Sequence, residues 1–428
     1  MLYGLFLIFC LYLPFQIALN PAKGVDLASG RVFILILALL WLISGLKKRR
    51  IFIPAKIQTW LILSFLFISG FSLFWASNLD WGLRKLLFLL SIFPVYFVVS
   101  GILYPSPYKG EGAYGRILKY VVWGAGLAGA VGIVQFLLQF IIGLDPTAAL
   151  WRNYVTPLFL GSNFSRTVLE YPSWLVNIGG TNYLRAFGTF PDPHMFSFYL
   201  GLTLPLAIGL YYACKKNSYL IFSMIILLAD LLTFSRGAYL GLVAGLIFMA
   251  LYFMINKKLS AKIILAGFML AILASVLIIF SPIGQRLVSS FNAEEGSNKG
   301  RFENWTQAIE IIKNNPQGIG IGNYSYEIEP SADYRKPIYA HNLYLDIAAE
   351  TGIINSVILI LILIFTTRSF VIKAKDNIIY LGGAISLVIY STHSIFDTSL
   401  YSVQVLPLIL IIIALGASDN YTLNHDRR

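Results

Sequence analysis

Four short segments and one further pair carry most of the reactive side chains in this chain of 428 residues. Arg185-Ala186-Phe187-Gly188-Thr189-Phe190-Pro191-Asp192-Pro193-His194 links a guanidinium to an imidazole through a turn that its glycine and prolines favour. Thr233-Phe234-Ser235-Arg236-Gly237 is a tight connection that leaves Arg236 at the start of an apolar run, where the free amides of a helix N-terminus attract an anion. The alternative for Arg236 is an ion pair with Asp230, one to two helical turns earlier. Gly318-Ile319-Gly320-Ile321-Gly322-Asn323 alternates glycines, which either admit close approach of a ligand or make an ordinary turn. In His341-Asn342-Leu343-Tyr344-Leu345-Asp346-Ile347-Ala348-Ala349-Glu350-Thr351-Gly352, the polar residues Asn342, Asp346 and Glu350 recur every four positions and share one helix face. His393 and Asp397 stand four apart, so the carboxylate either orients the imidazole or makes a helix-end hydrogen bond.

These residue types suit one kind of chemistry. Guanidinium groups bind phosphate through planar, bidentate hydrogen bonds, and an imidazole beside a carboxylate takes up a proton near neutral pH. Carboxylates inside an apolar span are costly and face a bundle interior or a cavity, so Asp346 and Glu350 are functional candidates unless a polar group on another span pairs with them.

The elements that position these groups are membrane spans. Hydrophobic residues make up 57% of the chain and charged residues 12%, about half the charge of a soluble domain, and the mean hydropathy is +0.74. Crossing a bilayer takes roughly twenty helical residues. Apolar runs of that order predict spans near 1–19, 32–46, 58–76, 83–104, 117–143, 195–214, 218–234, 237–255, 261–281, 342–365, 377–396 and 403–417. The expected fold is therefore all-α: a polytopic membrane protein of about twelve transmembrane helices, with residues 1–428 forming a single integral membrane domain. The first run lacks a basic start and a clear small-residue cleavage pattern, so it reads as a retained span. Cys10 and Cys214 lie inside or at the end of spans and are not placed as an extracytoplasmic disulfide.

Orientation follows from basic residues beside the spans. Lys47 to Arg50, Lys215, Lys216, Lys257, Lys258, Arg368, Lys373 and Lys375 mark cytoplasmic loops, and Arg427 and Arg428 place the C-terminus on the same side. Arg84 and Lys85 are exceptions on the outer side. The long loops near 144–194 and 282–341 are then extracytoplasmic, and all the reactive segments fall on or just below that face. Basic residues there are mostly arginine, which fits either a phosphate-bearing ligand or snorkelling to lipid headgroups. The net charge of +12 is scattered through short loops, so it speaks for membrane topology and against a nucleic-acid partner. In the second long loop Phe302, Trp305, Ile309 and Ile312 fall at helical spacing and predict an amphipathic helix against the bilayer or bundle, ended by Pro316.

The ordered combination resembles the O-antigen ligase and polymerase family of membrane glycosyltransferases. It runs from Arg301-Phe302-Glu303-Asn304-Trp305 through Pro316 to Asn323, then His341 to Leu345 with Glu350-Thr351-Gly352, and the Arg185 and Ser235-Arg236-Gly237 segments fit the same pattern. The resemblance covers the chain from about Arg185 onward. It implies transfer of a glycan from an undecaprenyl diphosphate carrier to an acceptor hydroxyl at the outer face of the inner (cytoplasmic) membrane. The partners implied are a lipid-linked glycan donor and a lipid or glycan acceptor. By the same resemblance His341, Arg236 and Arg185 are catalytic, and Arg301 helps to hold the diphosphate. Gly320, Gly322, Asn342, Glu350, His393 and Asp397 complete the candidate substrate-binding set. No metal or cofactor is expected, because guanidinium groups can neutralise a departing diphosphate while a histidine serves as base. His194 departs from the asparagine expected after the proline. Ligase and polymerase remain equivalent at this level. The competing reading is a polysaccharide or lipid-linked substrate transporter that uses Asp230, Asp346 and Glu350.

Overall fold

A computed structural model describes residues 1–22, 25–103, 112–169, 172–256, 296–334 and 337–418. The span expected near 261–281, Lys257, Lys258, the start of the second long loop, and Arg427 and Arg428 lie outside the described residues.

The N-terminal half contains helices α1 (Leu2–Tyr12), α2 (Ser29–Lys47), α3 (Ile57–Phe71), α4 (Leu79–Ile92), α5 (Pro94–Leu103) and α6 (Ala113–Ile142). Short helices α7 (Leu144–Leu150), α8 (Thr156–Leu160) and α9 (Ser162–Leu169) follow. Two antiparallel hairpins interrupt the helices, β1 (Ala18–Ala22) with β2 (Val25–Ala28), and β3 (Leu175–Ile178) with β4 (Thr181–Leu184). Next come α10 (Pro193–Cys214), α11 (Asn217–Leu231), α12 (Arg236–Ile255), α13 (Gly296–Asn314) and α14 (Tyr324–Ile328). The chain closes with α15 (Leu343–Thr351), α16 (Ile353–Ala374), α17 (Ile379–His393) and α18 (Val405–Ala417).

The chain is an all-α polytopic membrane protein. Among the described residues seven helical stretches are long and apolar enough to cross a membrane, counting Ile57–Trp75 (α3 with the turn after it) and Leu79–Leu103 (α4 with α5) as one each, and four shorter apolar helices accompany them. Two expected spans are divided. The run near 83–104 is α4 and α5, separated at Phe93, because Pro94 has no amide to continue the first helix and opens the second. The run near 342–365 breaks at Gly352, whose φ of 94° turns the chain, and α16 continues to Ala374.

The glycine-rich turn explains that second break. Ile319 N donates to Ala349 O at 2.9 Å and Gly320 N donates to Glu350 O at 2.8 Å, so the turn satisfies carbonyls that end α15. A Cβ at Gly318 would lie 2.5 Å from Glu350 O, and one at Gly320 would lie 2.6 Å from Ala76. The close approach at these glycines is to the protein's own chain.

The expected amphipathic helix forms as α13, but it starts earlier than Arg301 and only part of the expected stripe, Ile312 and Trp305, meets the bundle. Ala308, Ile311 and Ile312 pack with Tyr324, Ala340 and Ala349, whereas Phe302 and Ile309 are exposed. α10 sits at the centre of the bundle, against α6, α11, α12 and α17, with its interior face and most of its length buried. Small residues permit the close crossings: a Cβ at Gly382 of α17 would lie 2.5 Å from Pro205 O of α10.

Candidate active site

Three of the four histidines in the chain meet at one end of this bundle. His341 Nδ1 lies 3.3 Å from Asp397 Oδ1, and His194 Nδ1 lies 3.2 Å from Asp397 Oδ2. Ser235 Oγ lies 3.3 Å from both His194 Nδ1 and His393 Nε2. Arg185 Nη1 stands 3.5 Å from His194 Nε2.

Each group is held by local structure. Arg185 belongs to a buried extended segment whose backbone is hydrogen-bonded by two glutamines of α6. Gln135 donates to Arg185 O at 2.9 Å and accepts from Phe187 N and Gly188 N, while Gln139 donates to Leu184 O and accepts from Leu184 N. Without these amides the segment would leave backbone groups unpaired inside the bundle. Arg185 Nε donates to Thr233 O at 2.6 Å and Nη1 donates to Ser173 O at 2.9 Å, which ties the approach to β3 to the turn between α11 and α12. His194 is fixed at the start of α10, whose N-cap Asp192 accepts from His194 N at 2.8 Å and Met195 N at 2.9 Å.

The turn before α12 has Phe234 at a φ of 49°, and Arg236 opens the helix in a buried position. The ion pair with Asp230 does not form: both Asp230 oxygens are buried and without a hydrogen-bond partner among the described residues. Gly237 makes room for His393, since a Cβ there would lie 2.5 Å from the imidazole Cδ2. That imidazole also stacks on Phe198, centroid to centroid 3.6 Å at 7°.

His393 and Asp397 do not pair with each other as their spacing suggested. α17 ends at His393, the chain turns through Ser394 to Phe396, and Asp397 is carried round to His194 and His341 instead. Asp346 holds the approach to His341 by accepting from Ala340 N at 2.7 Å and from the Thr398 hydroxyl. Asn342 spends its side chain on capping α15, accepting from Tyr344 N and Leu345 N. His341 itself takes a left-handed φ of 53°, a conformation uncommon outside glycine. Arg301, on α13, lies near enough for its charge to act on His194, His341, His393 and Asp397.

The electrostatics follow from these neighbours. Burial by itself would raise the Asp397 carboxyl, but the His194 and His341 imidazoles and Arg301 outweigh it and hold the group well below the usual carboxylate range. Burial draws the His341 imidazole down, yet the hydrogen bond and charge of Asp397 overcome this against Arg301, and the imidazole titrates above its ordinary value. The result is an ionised carboxylate bonded to Nδ1 of a half-exposed imidazole, with Nε2 the ring nitrogen not held by that carboxylate.

Glu350, Gly320 and Gly322 are not brought into this cluster. Glu350 is in a salt bridge with Lys85 of α4 at 2.7 Å and accepts from Tyr401 OH at 3.3 Å, so a polar group on another helix pairs with it. The Lys85 ammonium lies over the Tyr401 and Tyr339 rings, and this partner accounts for a lysine among the basic exceptions. A Cβ at Gly322 would lie 2.8 Å from Trp81 O, again the protein's own backbone. Sequence reasoning missed Gln135, Gln139 and Thr398, and left Ser235 and His194 without roles of their own. The glutamines had a readable signal, two amides four residues apart on one face of an apolar span.

A family model described as O-antigen ligase matches residues 221–360, a stretch that contains Arg236, Arg301 and His341 but neither Arg185, His194 nor Asp397. An O-antigen polymerase of Salmonella muenchen is 26% identical to this chain over 317 residues, covering 72% of this chain and 72% of that protein. Both comparisons thus show similarity to O-antigen ligases and polymerases, the family that the motifs resemble.

Proposed function

We propose that the protein is a membrane glycosyltransferase of the O-antigen ligase or polymerase type. It moves a glycan from an undecaprenyl diphosphate carrier to a hydroxyl on a lipid or glycan acceptor, at the extracytoplasmic face of the inner membrane. The observation that carries this reading is the His341–Asp397 pair within reach of the Arg301 charge, joined through His194 to Arg185 and to Ser235, the residue before Arg236. In the reaction His341 Nε2 takes the acceptor hydroxyl proton as the oxygen attacks the anomeric carbon. The carbon–oxygen bond to the diphosphate breaks, and the diphosphate leaves with the electron pair beside guanidinium groups.

The transport reading is disfavoured, because two of its three carboxylates, Asp346 and Glu350, are held by protein partners. The test is transfer by purified protein supplied with a lipid-diphosphate-linked glycan and candidate acceptors. His341→Ala is expected to lose transfer by about 100-fold or more while membrane insertion and protein level stay unchanged. Wild-type transfer by that variant would remove the histidine from the mechanism.

A further inference from the structure

His194 touches both halves of the site. Its Nε2 lies 3.5 Å from Arg185 Nη1, and its Nδ1 lies 3.2 Å from Asp397 Oδ2 and 3.3 Å from Ser235 Oγ. A guanidinium only donates hydrogen bonds, so the nitrogen facing Arg185 is the one with the lone pair. An ionised carboxylate only accepts, so the nitrogen facing Asp397 carries the hydrogen. One neutral tautomer, protonated at Nδ1, meets both demands. A second proton would point an N–H at the Arg185 cation, which disfavours the imidazolium. His194 is therefore poorly placed to exchange protons with a substrate and well placed to be a fixed polar link.

We propose that His194 is a positioning residue that couples Arg185 to the His341 base through Asp397. It rests on the reading of His341 as the base. His194 commits one carboxylate oxygen of Asp397, leaves the other for His341, and by withdrawing charge from the carboxylate sets how firmly His341 holds its proton. The groups acting on His341 come from several elements: Asp397 after α17, Asp346 on α15 and Arg301 on α13. Asp397 in turn faces His194 on α10, His341 and Arg301, while His393 meets the cluster through Ser235.

The sign of the effect follows. Without an N–H from position 194, Asp397 presents more negative potential to His341, which keeps its proton to higher pH. A base must be unprotonated to act, so the acid limb of the transfer profile moves upward. In a His194→Phe variant, kcat/KM against pH is expected to show that limb displaced upward by about one unit. His194→Asn places an amide N–H where Nδ1 stood but does not reach Arg185. It is expected to restore the limb to the wild-type position at reduced kcat. A side chain that merely fills space would lower kcat in both variants and move neither limb.

The measurement uses the full chain purified in detergent, a lipid-diphosphate-linked glycan donor and one acceptor, with thermal unfolding recorded alongside. If His194→Phe does not fold, His194→Leu takes its place with the same expected displacement. The coupling is overturned if the apolar variant keeps the wild-type limb, or if asparagine displaces it as far as phenylalanine or leucine does. Failure of the underlying reading looks different, because His341→Ala would then transfer glycan normally. An inactive His341→Ala together with an unmoved limb in the apolar variant rejects the coupling alone.

Discussion

Asp397 divides its two carboxylate oxygens between His341 at 3.3 Å and His194 at 3.2 Å, so one buried anion orients two imidazoles from different parts of the chain. The consequence for His341 is a proton affinity above that of an ordinary histidine. Transfer is then expected to fall as the pH drops through that raised value, because the protonated imidazole cannot accept the hydroxyl proton. Asp397→Asn removes the charge that raises His341. Its acid limb should move to lower pH while kcat falls by about 100-fold through lost orientation. A pH–rate profile of the two proteins checks this, and an unmoved limb would detach Asp397 from the base.

Arg236 opens α12 in a buried position, next to the serine that contacts His194 and His393. Lysine keeps the charge but loses the planar fork that fits two phosphate oxygens. Arg236→Lys is therefore expected to lose most glycan transfer. Normal transfer would make Arg236 a topology or packing residue.

Glu350 and Lys85 form a largely buried ion pair, so removing one partner strands the other. Glu350→Gln is expected to destabilise the protein by about 3 kcal/mol, and the double variant Lys85→Met with Glu350→Leu should recover much of that loss. Thermal unfolding in detergent measures both. A Glu350→Gln protein that is fully stable but inactive would instead return Glu350 to the substrate site.

Topology has its own check. In a background lacking Cys10 and Cys214, a cysteine at the exposed Ser331 should react with an impermeant thiol reagent added from outside, and one at the exposed Ser218 should not. Reversed labelling would put the site on the cytoplasmic face.

Much of the helical framework was legible because a span needs only length and apolarity, and both are local properties. What was not legible was where spans break. Gly352 in α15–α16 looks like any glycine in an apolar run, and its role appears only when the turn at Gly318 and Gly320 arrives from elsewhere to bond the end of α15. The site divides in the same way. His341, Arg236, Arg185 and Arg301 stood out by residue type, but the partner of Asp397 was assigned to His393 because helical periodicity was carried past the point where α17 ends. The glycines of the turn suggested a ligand because sequence shows that a backbone can be approached, not by what. His194 stayed without a role because its partners lie 41 and more residues away along the chain, apart from Arg185 nine residues before it.

The left-handed backbone at His341 also restricts what can replace it. That conformation suits glycine and, among residues with a side chain, favours asparagine, aspartate and histidine. Lysine and glutamate, which serve as proton acceptors elsewhere, would have to adopt it at a cost, whereas histidine combines tolerance of the turn with a proton affinity near neutrality. Asparagine, which tolerates the same turn, is therefore the companion to the alanine variant in which the main-chain preference is kept. The geometry of one peptide unit thus narrows which residues can stand at position 341 before any substrate is considered.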